Sequence, residues 1–138
     1  MELVDIGMCF VCGKKNPGGL QAEFEIDSDR RMLSGWFIPG EVHQGYGGIM
    51  HGGLAACLLD EAMVKLLWEL GIPAVSASLE IRLKKPIRIG QKVVIKGWIE
   101  SDRGRLFHTG ARLESEEGTV LAEGTGVCVK ISPKGDEK

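Results

Sequence analysis

A histidine and two glycines, His51-Gly52-Gly53, open a long apolar segment, and an aspartate, Asp60, follows nine residues after the histidine. Gly52 and Gly53 place backbone N–H groups at the start of that segment. A helix leaves its first donors unpaired there, and its dipole favours negative charge. A residue without Cβ also lets a ligand approach the backbone closely. Such donors suit the oxyanion that develops in acyl transfer. Asp60 supplies a carboxylate that can attack as a nucleophile or serve as base for water. About two helical turns separate the two features, roughly 12 Å along the axis. A thioester lying along the helix start would meet the amides at its oxygen and Asp60 at its carbon.

The segment reads as a helix from Gly52 or Gly53 to Gly71, just ahead of Pro73. Glycine after the last turn and proline soon after it are stop signals. Leu54, Ala55, Ala56, Leu58, Leu59, Ala62, Met63, Val64, Leu66, Leu67 and Leu70 make it apolar on most sides, hence buried on most sides. Asp60, Glu61, Lys65 and Glu69 interrupt it too often for a membrane span. Glu61, Lys65 and Glu69 share one stripe, with Glu61 and Lys65 in the favourable i,i+4 order, and need only water. Asp60 lies off the stripe, among Ala56, Met63, Val64 and Leu67. A lone carboxylate in an apolar sector is costly unless compensated, and marks a functional candidate. The alternative is a core aspartate bonded to nearby backbone.

The elements that must hold this junction are mostly strands. Polar and apolar residues alternate over Leu20–Ile26, and Met32–Ile38 reads as its partner across a turn at Asp27–Arg30. After the helix, Val75–Leu83 places Leu79, Ile81 and Leu83 on one face and Ser78, Glu80 and Arg82 on the other. Gln91–Ser101, Arg105–Ser115 and Val120–Ile131 follow, with hairpin turns at Asp102-Arg103-Gly104 and Glu116-Glu117-Gly118. The order β-β-α-β-β-β-β predicts an α+β domain, a six-stranded antiparallel sheet wrapped around one long central helix. Its 138 residues suit a single domain with a real core. Residues 1–18 form an N-terminal segment with a CxxC motif, and the polar tail over 132–138 is expected to fray. A net charge of −2 gives no reason to expect nucleic acid as a partner. The acidic start MELVDIGMCF lacks a long apolar core, so no signal peptide is expected and a cytoplasmic location is the default. No membrane partner is expected. Twenty glycines suit a curved sheet.

HQGYGGIMHGGLAACLLDEAM resembles the signature of hotdog-fold thioesterases, specifically the phenylacetate-degradation (PaaI)-type acyl-CoA thioesterases of the 4-hydroxybenzoyl-CoA thioesterase-like superfamily. VSASLEIRLKKPIRIGQKVVIKG resembles the strand that follows the helix in that family, and CFVCGKKNPGGL a common opening of one branch. The resemblance spans nearly the whole chain. HGG alone is a weak signal; HGG with the spaced acid and the following strand is fairly specific. The resemblance implies the hotdog fold and hydrolysis of an acyl-CoA thioester. Gly52 and Gly53 amides would form the oxyanion site, Asp60 would be base or nucleophile, and His51 would be a further catalytic residue, orienting the loop and the acyl group or acting as acid or base. It also implies edge-to-edge pairing into a homodimer or dimer of dimers, with each site built from both chains. No cofactor is implied, since coenzyme A is part of the substrate.

Further site residues follow from the same resemblance. Family members often carry Gln or Asn six residues before the HGG histidine; here that position is Gly45, with Gln44 beside it. Either Gln44 takes the role through a shifted loop or the role is absent. His43 is also nearby, and a solvated loop histidine is its plainer reading. Relatives often place Ser or Thr early in the strand after the helix, reaching the nucleophilic water from the facing subunit. Ser78, eighteen residues after Asp60, fits that spacing better than Ser76, which is assigned to substrate binding. Arg82, Lys84, Lys85 and Arg88 flank Pro86 as the densest basic cluster, a solvated strand end or a landing site for the phosphates of coenzyme A. Tyr46, Met50, Met63, Trp68 and Trp36 are candidates for lining an acyl pocket.

Cys9-Phe10-Val11-Cys12-Gly13 has metal-ligand spacing, yet no second CxxC or HxxxH pair exists, and Cys57 and Cys128 lie in the helix and a late strand. The pair is therefore read as unliganded, and no metal is expected. Beside the thioesterase stand two alternatives: a hotdog hydratase or dehydratase, and a non-catalytic acyl-CoA-binding protein. A helix-turn-helix extension, which a sensor acting on DNA should carry, is not expected here, and the presence of Asp60 argues against binding alone.

Overall fold

The computed structural model describes residues 1–132; most of the tail expected to fray, 133–138, lies outside the described residues. The elements are β1 (Glu23–Asp27), β2 (Met32–Phe37), a 3-10 turn (Glu41–His43), α1 (Gly52–Glu69), β3 (Ala74–Leu83), β4 (Val93–Arg103), β5 (Leu106–Glu114) and β6 (Val120–Lys130). All six strands pair antiparallel in one sheet of order β1-β2-β4-β5-β6-β3. One face of that sheet packs on α1, which touches β2 through β6. This is the α+β arrangement expected from the element order, and the hotdog fold that the resemblance implies.

The apolar periodicity of α1 puts Ala55, Leu58, Leu59, Ala62, Met63, Leu66 and Leu67 inside. Leu33, Val93, Ile95 and Leu113 meet them from the sheet. The approach is close: a Cβ on Gly97 would lie 2.7 Å from the Ala62 carbonyl oxygen, so only glycine fits beneath that turn of helix. Among the described residues no helix is long and apolar enough to cross a membrane.

Three local expectations differ from the structure. β1 begins at Glu23, not Leu20, because the Leu20 and Ala22 N–H groups donate to the Phe10 and Val11 carbonyls and tie that stretch to the N-terminal segment. β4 runs through Asp102 and Arg103, which pair with Phe107 and Leu106, leaving only Gly104-Arg105 as the loop. The expected Glu61–Lys65 pair is replaced by Lys65 to Glu69 at 3.3 Å. The N-terminal segment lies over this side of α1, so Glu61 and Lys65 are half-buried and Glu61 turns toward Cys9.

Candidate active site

The helix start is organised by a histidine. His51 is the N-cap of α1, and its Nδ1 accepts the Gly53 N–H at 2.9 Å. Its carbonyl accepts from Leu54 and Ala55 at 3.0 and 3.3 Å. A helix begins with a set of donors that its own backbone cannot satisfy. Here His51 takes all of them except the Gly52 N–H, which makes no hydrogen bond among the described residues. The expected pair of free amides is thus a single one. Gly52 does not take a positive φ, and a Cβ there would lie 2.8 Å from Leu83 Cδ1.

The preceding loop is held from within. His51 N–H donates to the His43 carbonyl at 2.9 Å. His43 is half-buried, with its Nδ1 accepting the Gly40 N–H at 2.8 Å and its ring edge-on to Phe37 at 5.1 Å, so it is a loop brace and not a solvated side chain. Gln44 Oε1 accepts the Gly48 N–H at 2.6 Å, and its Nε2 donates to the Glu41 carbonyl at 2.9 Å. Both ends of the Gln44 amide therefore serve its own loop. At Gly45 a Cβ would lie 3.3 Å from His51 Cα, a tight contact.

A cavity of about 690 Å³ opens beside the helix start, lined by His51, Gly52, Tyr46, Met50, Leu83, Lys84 and Lys85 among others. Two members of the basic cluster reach it. The Lys84 and Lys85 N–H groups both donate to the Leu121 carbonyl, fixing the strand end against β6. Lys84 Nζ pairs with Glu123 at 3.0 Å, while no ion pair is formed by Lys85 among the described residues. Arg82 sits instead with Glu80 and Trp98, and exposed Arg88 bridges through its backbone to Ile49. Of the apolar candidates, Tyr46 and Met50 line the cavity. Met63 is fully buried, Trp68 lies under the N-terminal segment, and Trp36 is exposed with Lys92 over its ring.

Asp60 is half-buried, and its Oδ1 is inaccessible and without a hydrogen-bond partner. Burial raises its pKa above the ordinary value, and the nearby Ser76 hydroxyl offsets part of the rise. Nearby Cys57 and Cys128 are held in their thiol form by burial first and by the Asp60 charge second; a hydrogen bond with Thr109 opposes the rise at Cys128. A carboxylate raised in this way is a stronger base than an exposed one.

Ser76 rather than Ser78 stands beside Asp60 in this chain. A register shift separates them: Ser76 pairs with Cys128 and Ser78 with the very next residue, Val127. Ala77 is the extra residue of a β-bulge, so the two serines point to opposite faces. Ser76 turns toward the helix, while exposed Ser78 faces away. Strand alternation alone could not show this, since it puts both on one side.

A wrapped sheet, one free amide at the head of its helix and an acid two turns on define the hotdog class. The thioesterase superfamily profile matches residues 47–122. Acyl-coenzyme A thioesterase THEM4 of Bos taurus is 29% identical over 119 residues, 84% of this chain and 49% of the relative. The crystal structure of a thioesterase superfamily protein superposes with a TM-score of 0.83 at 25% identity, covering 90% of this chain and 61% of that one. A hypothetical thioesterase from Streptococcus pneumoniae TIGR4, crystallised with coenzyme A, superposes with a TM-score of 0.75 at 19% identity, covering 80% and 86%. The chain belongs to the thioesterase superfamily. It spans about half the length of the THEM4 relatives it matches.

Proposed function

We propose that the chain hydrolyses acyl-CoA thioesters to the free acid and coenzyme A. The observation that carries this reading is Asp60, a carboxylate of raised pKa with one buried oxygen unbonded, on the helix of a thioesterase fold. The Gly52 N–H holds the carbonyl oxygen as it gains charge. Asp60 delivers the oxygen nucleophile, its own or that of a water whose proton it takes. With water as nucleophile, the new C–O bond forms, the C–S bond breaks, and the thiolate takes the proton Asp60 removed from the water. With Asp60 as nucleophile, the C–S bond breaks to an acyl-aspartate anhydride, which a water then hydrolyses, its protons leaving on the acid and the thiol. Lys85 and Lys84 at the cavity rim meet the phosphates of coenzyme A. The relatives' names and the coenzyme A-bound neighbour support this substrate class.

One chain does not bring Gly52 and Asp60 to a single carbonyl carbon. They stand roughly 12 Å apart along the axis, and the helix-start cavity does not reach Asp60. Two copies joined along β3, an edge strand that exposes Val75, Leu79 and Leu83, would set the Gly52 of one against the Asp60 of the other. The test is thiol release from a panel of short, medium, long and aromatic acyl-CoAs. Saturable release with at least one member supports the reading; tight binding without release would make the chain a binding module.

A further inference from the structure

The CxxC motif was unmatched in sequence because its third partner lies far away. Gly13 N–H donates to the Cys9 carbonyl at 2.8 Å, closing a tight turn over Cys9–Gly13. A Cβ at Gly13 would lie 2.4 Å from the Cys9 nitrogen and 2.6 Å from the Cys9 and Gly7 carbonyl oxygens, so the turn admits only glycine. The turn presents both sulfurs to α1, where Glu61 turns to meet them. The Cys9 sulfur and Glu61 Oε2 are 3.4 Å apart, and the ligand atoms of Cys9, Cys12 and Glu61 all lie within 4.8 Å of one another, half-buried. Glu61 forgoes Lys65, its i+4 neighbour, which pairs with Glu69 instead.

We propose that Cys9, Cys12 and Glu61 bind one thiophilic divalent metal ion, and that the ion is zinc. Zinc bonds to sulfur at about 2.3 Å and to carboxylate oxygen at about 2.1 Å, so tetrahedral ligands would stand about 3.6 Å (S···O) and 3.8 Å (S···S) apart. The observed 3.4 Å is close to the first figure, and the 4.8 Å limit leaves at most about 1 Å of closure. Two thiolates and a carboxylate suit zinc better than calcium or magnesium, which take oxygen. Their three negative charges exceed the ion's two, and the half-buried ammonium of Lys65 on the same side of α1, shared with Glu69, tempers the excess. A fourth position faces a cavity of about 450 Å³ between residues 3–9 and α1, open to a water ligand. Binding releases the two thiol protons to solvent. The ion would clamp the N-terminal segment to α1, one residue beyond Asp60 but on another side of the helix.

The test uses the full chain, reduced, stripped with a chelator and desalted. Titration with Co²⁺ should saturate at one ion per chain, with sulfur-to-metal charge-transfer absorption and the intense visible bands of a tetrahedral site. Zn²⁺ should displace it. Cys9→Ser and Cys12→Ser should abolish uptake. Glu61→Gln should weaken it by at least the 10–100-fold typical of losing even an outer partner, and Glu69→Gln should not. A readout without variants guards against misfolding: zinc should protect Cys9 and Cys12 from alkylation while labelling of Cys57 and Cys128 is unchanged. The proposal fails if the reduced chain takes up no ion at micromolar Zn²⁺. It fails equally if uptake survives the double cysteine replacement or is indifferent to Glu61→Gln.

Discussion

His51 Nδ1 sits 2.9 Å from the Gly53 nitrogen, so this histidine caps the helix and, by occupying one amide, leaves Gly52, among the described residues, as the sole open donor of the first turn. A side chain that would be read as catalytic from its sequence setting thereby acquires a structural task that can be measured separately.

Removing the cap in His51→Ala should cost about 0.5–2 kcal/mol of stability. Asn is a good N-cap without the imidazole, so His51→Asn should recover most of that loss. If His51 only positions the helix start, Asn recovers turnover as well; recovery of the melting temperature without turnover would assign the imidazole a chemical role. We expect recovery of both, read by thermal melts beside kcat.

Gly52→Ala keeps the amide and adds a methyl where the carbonyl would approach. The backbone there is not left-handed, and the atom in the way is the end of the exposed Leu83 side chain, so the variant should fold with little loss. Turnover should fall roughly 10²-fold, the scale of losing one oxyanion donor. Wild-type hydrolysis by a folded Gly52→Ala would remove the helix start from the mechanism.

Asp60→Asn should lower kcat by at least about 10²-fold, whereas Glu69→Gln should leave it unchanged. The same change should stabilise the chain at neutral pH. Burial raises the folded-state pKa above the unfolded value, so between the two the folded chain holds the extra proton and wild-type stability falls as pH rises. Above that window the full cost of the buried charge is present; below the ordinary 3.8 it is absent. The variant's advantage, on the order of 1 kcal/mol, should therefore shrink as pH is lowered and vanish below that value. For the same reason the acid limb of wild-type kcat/KM should fall at a pH above the ordinary aspartate value. A destabilised Asp60→Asn at neutral pH would mean the carboxylate is compensated after all.

Sites shared between copies predict complementation. Inactive Gly52→Ala and inactive Asp60→Asn, unfolded together and refolded as a 1:1 mixture, would form mixed dimers in half the cases, each with one intact site. Activity should return to about a quarter of wild type. No recovery, despite mixed dimers seen by mass spectrometry, would place both residues in one chain's site. Light scattering of the wild type at micromolar concentration should show a dimer or larger.

Lys85→Ala should raise KM for an acyl-CoA roughly 10-fold, equivalent to about 1.4 kcal/mol, with kcat little changed. The effect should fade in high salt, since the group is exposed. Arg82→Ala, on the other side of β3, should have no such effect.

The helix, the six strands and their sheet were legible because each follows a simple period: 3.6 for Leu58, Leu59, Ala62 and Leu66, and 2 for Leu79, Ile81 and Leu83. Asp60 was legible because it breaks the first of these. What the chain did not show in one dimension were events that need a second element. Glu61 looked like a member of a solvated stripe until residues 1–20 were laid across it. Gln44 looked available until its amide was found spent on Glu41 and Gly48. Ser76 and Ser78 looked equivalent, because no spacing shows the break in the strand at Ala77.

That broken strand has a consequence for how the chain can change length. With Ala77 in place, Ser76 lies on the helix side of the strand before the bulge, and Leu79, Ile81 and Leu83 lie on that side after it, Leu79 and Leu83 remaining exposed at the sheet edge. Deleting that one residue restores an unbroken pleat, and the two halves can no longer both be right. Either the serine leaves Asp60, or three apolar side chains turn outward. A strand at the margin of a sheet would ordinarily be a place where insertions and deletions accumulate. This one behaves like a reading frame, in which a single-residue loss is a frameshift for every side chain on one side of it.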